Sequence, residues 1–202
     1  MRPWHHPQGD LLNPPNLLTL SRLALAPWVA VCILHQEFRQ ALWLLLAAGV
    51  TDGLDGYLAR RCGLVTRLGA QLDPVADKVL LVTVYISLGL AGLIPQWLVL
   101  IVVGRDLLIL TFAGAALATA RQLEFAPSVW GKLSTLVQIV TGVVVIGDKA
   151  FPLPGGSLWV GVLPVITTVT TGWSGLHYAW QGARTWRRWR SPRPIDAAPP
   201  RE

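Results

Sequence analysis

Four aspartates are the side chains in this sequence best placed to do chemistry. Asp52 and Asp55 are three residues apart, Asp73 and Asp77 four apart, and both pairs interrupt stretches that are otherwise apolar. On a helix either spacing puts both members of a pair on one face. Inside a membrane an ionised Asp costs about 2.5–3.5 kcal/mol on insertion scales, so four together cost on the order of 10 kcal/mol. Carboxylates one turn apart also repel, by about 3 kcal/mol at a separation near 6 Å and an effective dielectric near 20. Something positive has to sit among them. Hard oxygen donors suit Mg, Mn or Ca, so a divalent cation is the first candidate. Gly56 and Gly69 lie one turn from Asp52 and Asp73 and leave room on the same faces for a ligand, while Arg60 adds a fixed positive charge at the mouth. Two other readings stand beside this one. The acids could be packing partners or counterions for Arg60, Arg67 and Lys78, although stability alone does not call for four acids at one depth. They could also mark an ion or proton path, although transporter sites lie near the midplane and these acids cluster toward one surface.

The elements that must carry these residues are membrane helices. Of 202 residues 52% are hydrophobic and only 14% charged, too apolar for an ordinary soluble domain. Apolar runs near the ~20 residues needed to cross the hydrocarbon layer recur along the chain. They predict an all-α integral membrane protein with six spans, at about 16–34, 41–61, 68–90, 96–118, 129–146 and 158–180. No ten-residue alternation suggests a membrane barrel. An interfacial arm is expected over residues 1–15, a catalytic six-helix domain over 16–182, and a basic, then Pro-rich, disordered cytoplasmic tail over 183–202. Cys32 falls in a span and Cys62 in a basic turn, so both read as free thiols.

Six spans place both termini on one side. Of the seventeen Lys and Arg residues only Arg39 and Lys149 fall in or beside the opposite loops, so the positive-inside rule puts the termini and the acids at the cytoplasmic face. The net charge of +6 comes from residues flanking apolar spans, which points to anionic lipid and away from nucleic acid. The ten Trp, many near span ends, fit an interfacial belt, and the WRRWR segment at 186–190 fits a surface of anionic headgroups. No long, Arg/Ser-rich, acid-poor presequence is evident, which favours a bacterial cytoplasmic membrane.

The arrangement D-x-x-D-G-x-x-A-R-x8-G-x-x-x-D-x-x-x-D is filled at each fixed position by Asp52, Asp55, Gly56, Ala59, Arg60, Gly69, Asp73 and Asp77. It resembles the signature of the CDP-alcohol phosphatidyltransferases. That resemblance implies six transmembrane helices, a CDP-linked lipid, two divalent ions (Mg or Mn), a homodimer, and an acceptor hydroxyl that displaces CMP. It implies metal ligation by Asp52, Asp55, Asp73 and Asp77, with Asp77 also the general base, and CDP-lipid contacts from Gly56, Ala59, Arg60 and Gly69. In the first span Asn16, Thr19 and Arg22 share a face; taken alone they read equally as a helix cap with a snorkelling Arg or as a ligand-facing edge. The run PNLLTLSR is similar to the first helix of the branches that make phosphatidylglycerophosphate and, in eukaryotic-type enzymes, cardiolipin. That likeness implies ligand-facing roles for all three residues.

The two branches differ in acceptor. Glycerol 3-phosphate is a dianionic monoester, phosphatidylglycerol a monoanionic diester, and a monoester site wants more cation. Enzymes acting on glycerol 3-phosphate typically show G-K-x-K-T in the fifth helix; here Gly131-Lys132-Leu133-Ser134-Thr135 has Ser134 in place of the second Lys. Arg105, Lys132 and Ser134 are the expected acceptor-phosphate residues. The closing SGLHYAWQGAR run also resembles the cardiolipin branch, which implies transfer from CDP-diacylglycerol to phosphatidylglycerol. Glycerol 3-phosphate is the alternative acceptor. His177 in that run more often serves helix packing than catalysis.

Overall fold

The computed structural model describes the backbone over residues 14–62, 67–118, 129–152 and 155–190, and side chains over 21–51, 76–111, 129–152, 155–156 and 158–184. Six helices follow in order: α1 (Pro14–Leu34), α2 (Phe38–Cys62), α3 (Arg67–Leu90), α4 (Gln96–Ala118), α5 (Val129–Ala150) and α6 (Gly156–Arg190). Pro14 and Pro15 open α1, where the missing N–H groups would have had no helical partner. The helices begin and end within a few residues of the apolar runs, with one large exception. α6 continues to Arg190, ten residues past the expected end of the span, so the basic segment over 183–190 is helical. Residues 1–13 and 191–202, and with them most of the expected arm and the Pro-rich stretch, lie outside the described residues.

Two helix ends show how the chain is turned. Gly92 has φ +70°, its N–H donates to the Gly89 carbonyl at 3.1 Å, and the Leu93 N–H donates to the Leu88 carbonyl at 2.9 Å. This is a Schellman cap, and it brings Leu93 back onto the apolar cluster that holds Leu88. α1 ends in the same way: Gln36 N–H reaches the Ile33 carbonyl at 3.1 Å and Glu37 N–H the Cys32 carbonyl at 2.8 Å. Here the left-handed position, φ +63°, is occupied by Gln36, which has a Cβ to accommodate.

α1 packs against both α2 and α3, α5 against α2 and α6, and α4 against α3 and α6. Among the described residues the two acid-bearing helices are therefore held by α1 more than by each other. The helices alternate in direction, so the start of α1, the end of α2 and the start of α3 share one end of the bundle with the end of α4, the start of α5 and the end of α6. At the opposite end lies an apolar cluster of Val29, Ile33, Leu42, Tyr85, Leu88 and Leu98, joined by Val145 and Ile146.

Beside its apolar cluster the bundle buries a set of polar side chains, while many large apolar ones face outward. Ser134, Gln138, Thr141, Thr167, Thr171 and Ser174 are buried, whereas Trp28, Trp43, Leu100, Leu136 and Val169 on five different helices are exposed. A water-soluble bundle would reverse this; in lipid, hydroxyls and amides join helices by hydrogen bonds while apolar side chains face the tails. Among the described residues α5 is the one helix long and apolar enough on length and composition to cross a membrane, with mean hydropathy 1.7. Ser21–Leu34 and Phe38–Thr51 are shorter apolar segments. Trp43, Trp97, Trp159 and Trp180 are exposed, and the Arg184 guanidinium lies over the Trp180 ring at 3.9 Å. Cys32 is buried and free. The side chain of Cys62 lies outside the described residues.

Candidate active site

Asp52 and Asp55 lie on the C-terminal part of α2, and Asp73 and Asp77 on the N-terminal part of α3, at the same end of the bundle. The helical backbone there keeps each pair on one face. The side chains of Asp52, Asp55, Gly56, Ala59, Arg60, Gly69 and Asp73 fall outside the described residues, as do those of Asn16 and Thr19. Asp77 is described, and its carboxylate meets Arg22 of α1. Arg22 is 1% exposed while the Asp77 side chain is 51% exposed, so the guanidinium is packed into the bundle and the carboxylate opens outward. Of the two readings that the first helix allowed, a snorkelling Arg22 is overturned: its charge is held inside, against an acid of the signature. Among the described residues no group of three or more carboxylate, imidazole or thiol side chains converges. The four carboxylates of the signature are hard oxygen donors of the kind that suits a divalent cation, and the one whose side chain is described, Asp77, is accessible.

A second charged cluster lies beside it. Asp106 Oδ1 accepts from Lys78 Nζ at 2.7 Å and from Arg105 Nη1 at 2.6 Å. Asp106 is 2% exposed, and its other oxygen, Oδ2, has no donor among the described residues. A buried acceptor left unmatched costs about 1–3 kcal/mol, more for a charged group, which marks the position as one held for a purpose other than stability. Lys78 directly follows Asp77, so Asp106 ties the acid-bearing helix to α4.

Arg105 has further contacts. Its Nη2 donates to Ser174 Oγ at 3.3 Å and to the Gly131 carbonyl at 3.4 Å, and its guanidinium carbon lies 5.7 Å from the Tyr178 ring centre. A Cβ on Gly131 would sit 2.6 Å from the Tyr178 hydroxyl and 3.2 Å from Arg105 Nη2. The glycine lets the start of α5 approach these two side chains. Lys132 is exposed on the next position of the same helix.

Ser134, named with Arg105 and Lys132 for the acceptor phosphate, is fully buried in the seam between α5 and α6. Its hydroxyl shares a hydrogen bond with Thr171 Oγ1 at 3.1 Å and accepts from Gln138 Nε2 at 3.3 Å. Gln138 also donates to Thr171, and Thr141 bonds Thr167 across the same seam at 2.7 Å. Tyr85 of α3 donates to the Gln138 carbonyl at 3.0 Å, which joins a third helix to the ladder. His177 is half-buried, with a ring nitrogen 2.9 Å from Gln181 Nε2 one turn further along the same helix.

Asp106, Gly131, Ser174 and Tyr178 were not foreseen as parts of the site. Gly131 opens the 131–135 run already singled out and Asp106 directly follows Arg105, so both could have been found by asking what balances Arg105. Ser174 and Tyr178 stood in the SGLHYAWQGAR run, which was read for its likeness to the cardiolipin branch and not for what its hydroxyls could contact.

All-helical architecture, an inside-out polarity and acids paired at one end of the bundle define a membrane-embedded class of protein. A profile of the CDP-alcohol phosphatidyltransferases matches residues 12–173, and the chain belongs to that family. It is 33% identical over 190 residues to the cardiolipin synthase (CMP-forming) of Rattus norvegicus, covering 85% of this chain and 62% of the rat protein. It is 33% identical over 171 residues to a probable phosphatidylglycerophosphate synthase of Mycobacterium tuberculosis, covering 82% of this chain and 80% of that one. With the CDP-diacylglycerol–glycerol-3-phosphate 3-phosphatidyltransferase of Bacillus subtilis it shares 30% over 197 residues, covering 87% and 99%. The chain thus spans less than two thirds of the length of the rat relative.

Proposed function

We propose that the chain transfers a phosphatidyl group from CDP-diacylglycerol to phosphatidylglycerol, forming cardiolipin and releasing CMP. The acceptor hydroxyl oxygen attacks the phosphorus of the phosphatidyl group, the bond from that phosphorus to the oxygen joining it to CMP breaks, and the hydroxyl proton passes to Asp77. Asp52, Asp55, Asp73 and Asp77 would hold one or two divalent ions, Mg2+ or Mn2+, which when bound neutralise charge on the diphosphate. Arg22 holds the Asp77 carboxylate in place, and Asn16, Thr19, Gly56, Ala59, Arg60 and Gly69 contact the CDP-lipid. Arg105 and Lys132 bind the acceptor phosphate.

The observation that carries the choice of acceptor is position 134. It holds an uncharged hydroxyl turned into the α5–α6 seam, so the acceptor side has one cation fewer than a dianionic monoester calls for. Glycerol 3-phosphate is the second reading, favoured by the Bacillus subtilis relative that this chain matches over 99% of its length. Membership of the family leaves the transport reading without support.

The same reading takes all six helices as spans, with both termini and the acid end cytoplasmic, because Lys and Arg concentrate at that end. It places the protein as a homodimer in a bacterial cytoplasmic membrane, with the end of α6 on anionic headgroups. Purified protein with Mn2+ or Mg2+ and CDP-diacylglycerol tests the reaction. CMP release that depends on phosphatidylglycerol is the expected result; equal or greater release with glycerol 3-phosphate replaces it with the second reading.

A further inference from the structure

One buried acid stands beside the cations given to the acceptor phosphate. Asp106 follows Arg105 on α4 and is 2% exposed; its Oδ1 accepts from Arg105 Nη1 at 2.6 Å and from Lys78 Nζ of α3 at 2.7 Å. For a phosphate arriving at Arg105 this carboxylate has the wrong charge, since it repels the ligand and cancels one of the two cations it touches. Stability does not explain it either, because Oδ2 is buried with no donor among the described residues. What the carboxylate supplies is direction. An ionic N–H···O bond of this length is about twice as strong as a neutral one and fixes the fork that makes it.

The rest of Arg105 shows what is being directed. Its stem runs along α6, where a Cβ added to Gly175 would lie 3.7 Å from Arg105 Cγ and 3.9 Å from its Cβ. Beyond the stem the guanidinium is held on both terminal nitrogens: Nη1 by Asp106, Nη2 by Ser174 Oγ of α6 at 3.3 Å and by the Gly131 carbonyl of α5 at 3.4 Å. The two Nη2 contacts are long and neutral. The Nη1 contact is short and ionic, so it decides which way the planar fork turns. The Gly131 carbonyl also accepts from Thr135 Oγ1 at 3.1 Å, and it lies in the first turn of α5, directly before Lys132. One carboxylate therefore anchors a network that reaches both acceptor cations.

We infer that Asp106 is a positioning residue for the acceptor: it holds the Arg105 guanidinium, and through Gly131 the start of α5 with Lys132, in the arrangement that receives the acceptor phosphate. Buried as it is, it touches neither substrate. This rests on the reading of Arg105 as a phosphate-binding residue. Charge and position predict opposite signs. If Asp106 contributed only its charge, removing it would tighten an anionic acceptor; as a positioning residue, its loss weakens that acceptor.

The KM for each substrate, measured from CMP release in mixed micelles with Mn2+ and the acceptor that wild type uses, separates these roles. Asp106→Ala is expected to raise the acceptor KM about tenfold, with kcat and the KM for CDP-diacylglycerol within about threefold of wild type. Asp106→Asn keeps an oxygen for Arg105 and should raise the acceptor KM several-fold. In an Arg105→Lys background Asp106→Ala should add less than about twofold, because the fork it directs is gone. Lys78→Met breaks the link to α3 alone and should leave the acceptor KM within about twofold. Should Asp106→Ala not fold, the pair Lys78→Met with Asp106→Asn keeps the net charge of the three residues and is still expected to raise the acceptor KM several-fold. An acceptor KM unchanged in Arg105→Lys takes the phosphate off Arg105 and overturns that reading and this inference together. A raised KM in Arg105→Lys, with an unchanged or lowered one in the Asp106 variants, overturns the inference alone. So does additivity of the Arg105 and Asp106 substitutions, or a rise in Lys78→Met equal to that in Asp106→Ala, which would leave Asp106 only the tie between α3 and α4.

Discussion

The two ends of this bundle are held together by different forces. At the end formed by the α1–α2 and α3–α4 turns, apolar side chains from five helices close on one another. Arg39 is a polar group at that end, donating to the Ala150 carbonyl at 3.2 Å and lying over the Phe151 ring. At the other end charges face each other, the buried Arg22 with the open Asp77 and the buried pair Arg105 with Asp106, and hydroxyl ladders fill the seam below them. Close packing stabilises without selecting any ligand, whereas a buried ion pair is weak evidence for stability and strong evidence that charge is wanted at that place. Unmatched acceptors on Asp106 and Gln138 both lie on the polar side, where the fold tolerates a cost that the packed end does not carry. On the proposed function, stability belongs to one end and chemistry to the other.

Substitutions at the two ends should therefore separate stability from turnover. Leu98→Ala at the packed end leaves a cavity and should lower the unfolding free energy by about 2–4 kcal/mol, with the KM for either substrate unchanged at temperatures where the protein stays folded. Denaturation in detergent together with kinetics checks this, and a changed KM would blur the division. Arg105→Lys at the polar end keeps the charge but cannot reproduce the planar contacts to Ser174 and Gly131. Its kcat/KM for the acceptor should fall about tenfold or more, roughly 1.4 kcal/mol or above, with stability changed by less than that. Lys132→Ala, on the exposed neighbour of Gly131, should raise the acceptor KM several-fold and leave kcat in place; an unchanged KM moves the acceptor phosphate elsewhere. The smallest effect is expected at Gln36→Gly, which relieves a left-handed position and should stabilise by about 1 kcal/mol without any effect on activity.

Much of the fold was legible because membrane helices are written as long apolar runs separated by Pro, Gly and charge. The end of α6 was missed because hydropathy falls at Arg184 while helical hydrogen bonding does not; a basic segment at a membrane surface can continue a helix as well as end it. The spacing of the acids puts each pair on one helix face, and the signature through Asp77 suggests a chemistry for them. What the sequence withheld was pairing across helices. Nothing in the spacing of Lys78 and Asp106 says that one carboxylate will take two cations, since that depends on how α3 meets α4. Gly131 read as one letter of a motif, and its role follows from the close approach of Tyr178 on another helix. Ser134 was read by its charge alone, and its neighbours across the seam turned out to be Thr171 and Gln138.

Asp77 is where the two descriptions meet: it belongs to the signature, it is partnered by a buried Arg22, and its carboxylate is open. Asp77→Asn keeps an oxygen for Arg22 and removes the base. The most direct measurement is CMP release from CDP-diacylglycerol and phosphatidylglycerol by this variant, with Mn2+ binding followed on the same preparation. Turnover is predicted to fall by about 10²–10⁴-fold while Mn2+ still binds within several-fold of the wild-type affinity. Turnover within a few-fold of wild type, on folded protein, would contradict the account and take the base away from the polar end.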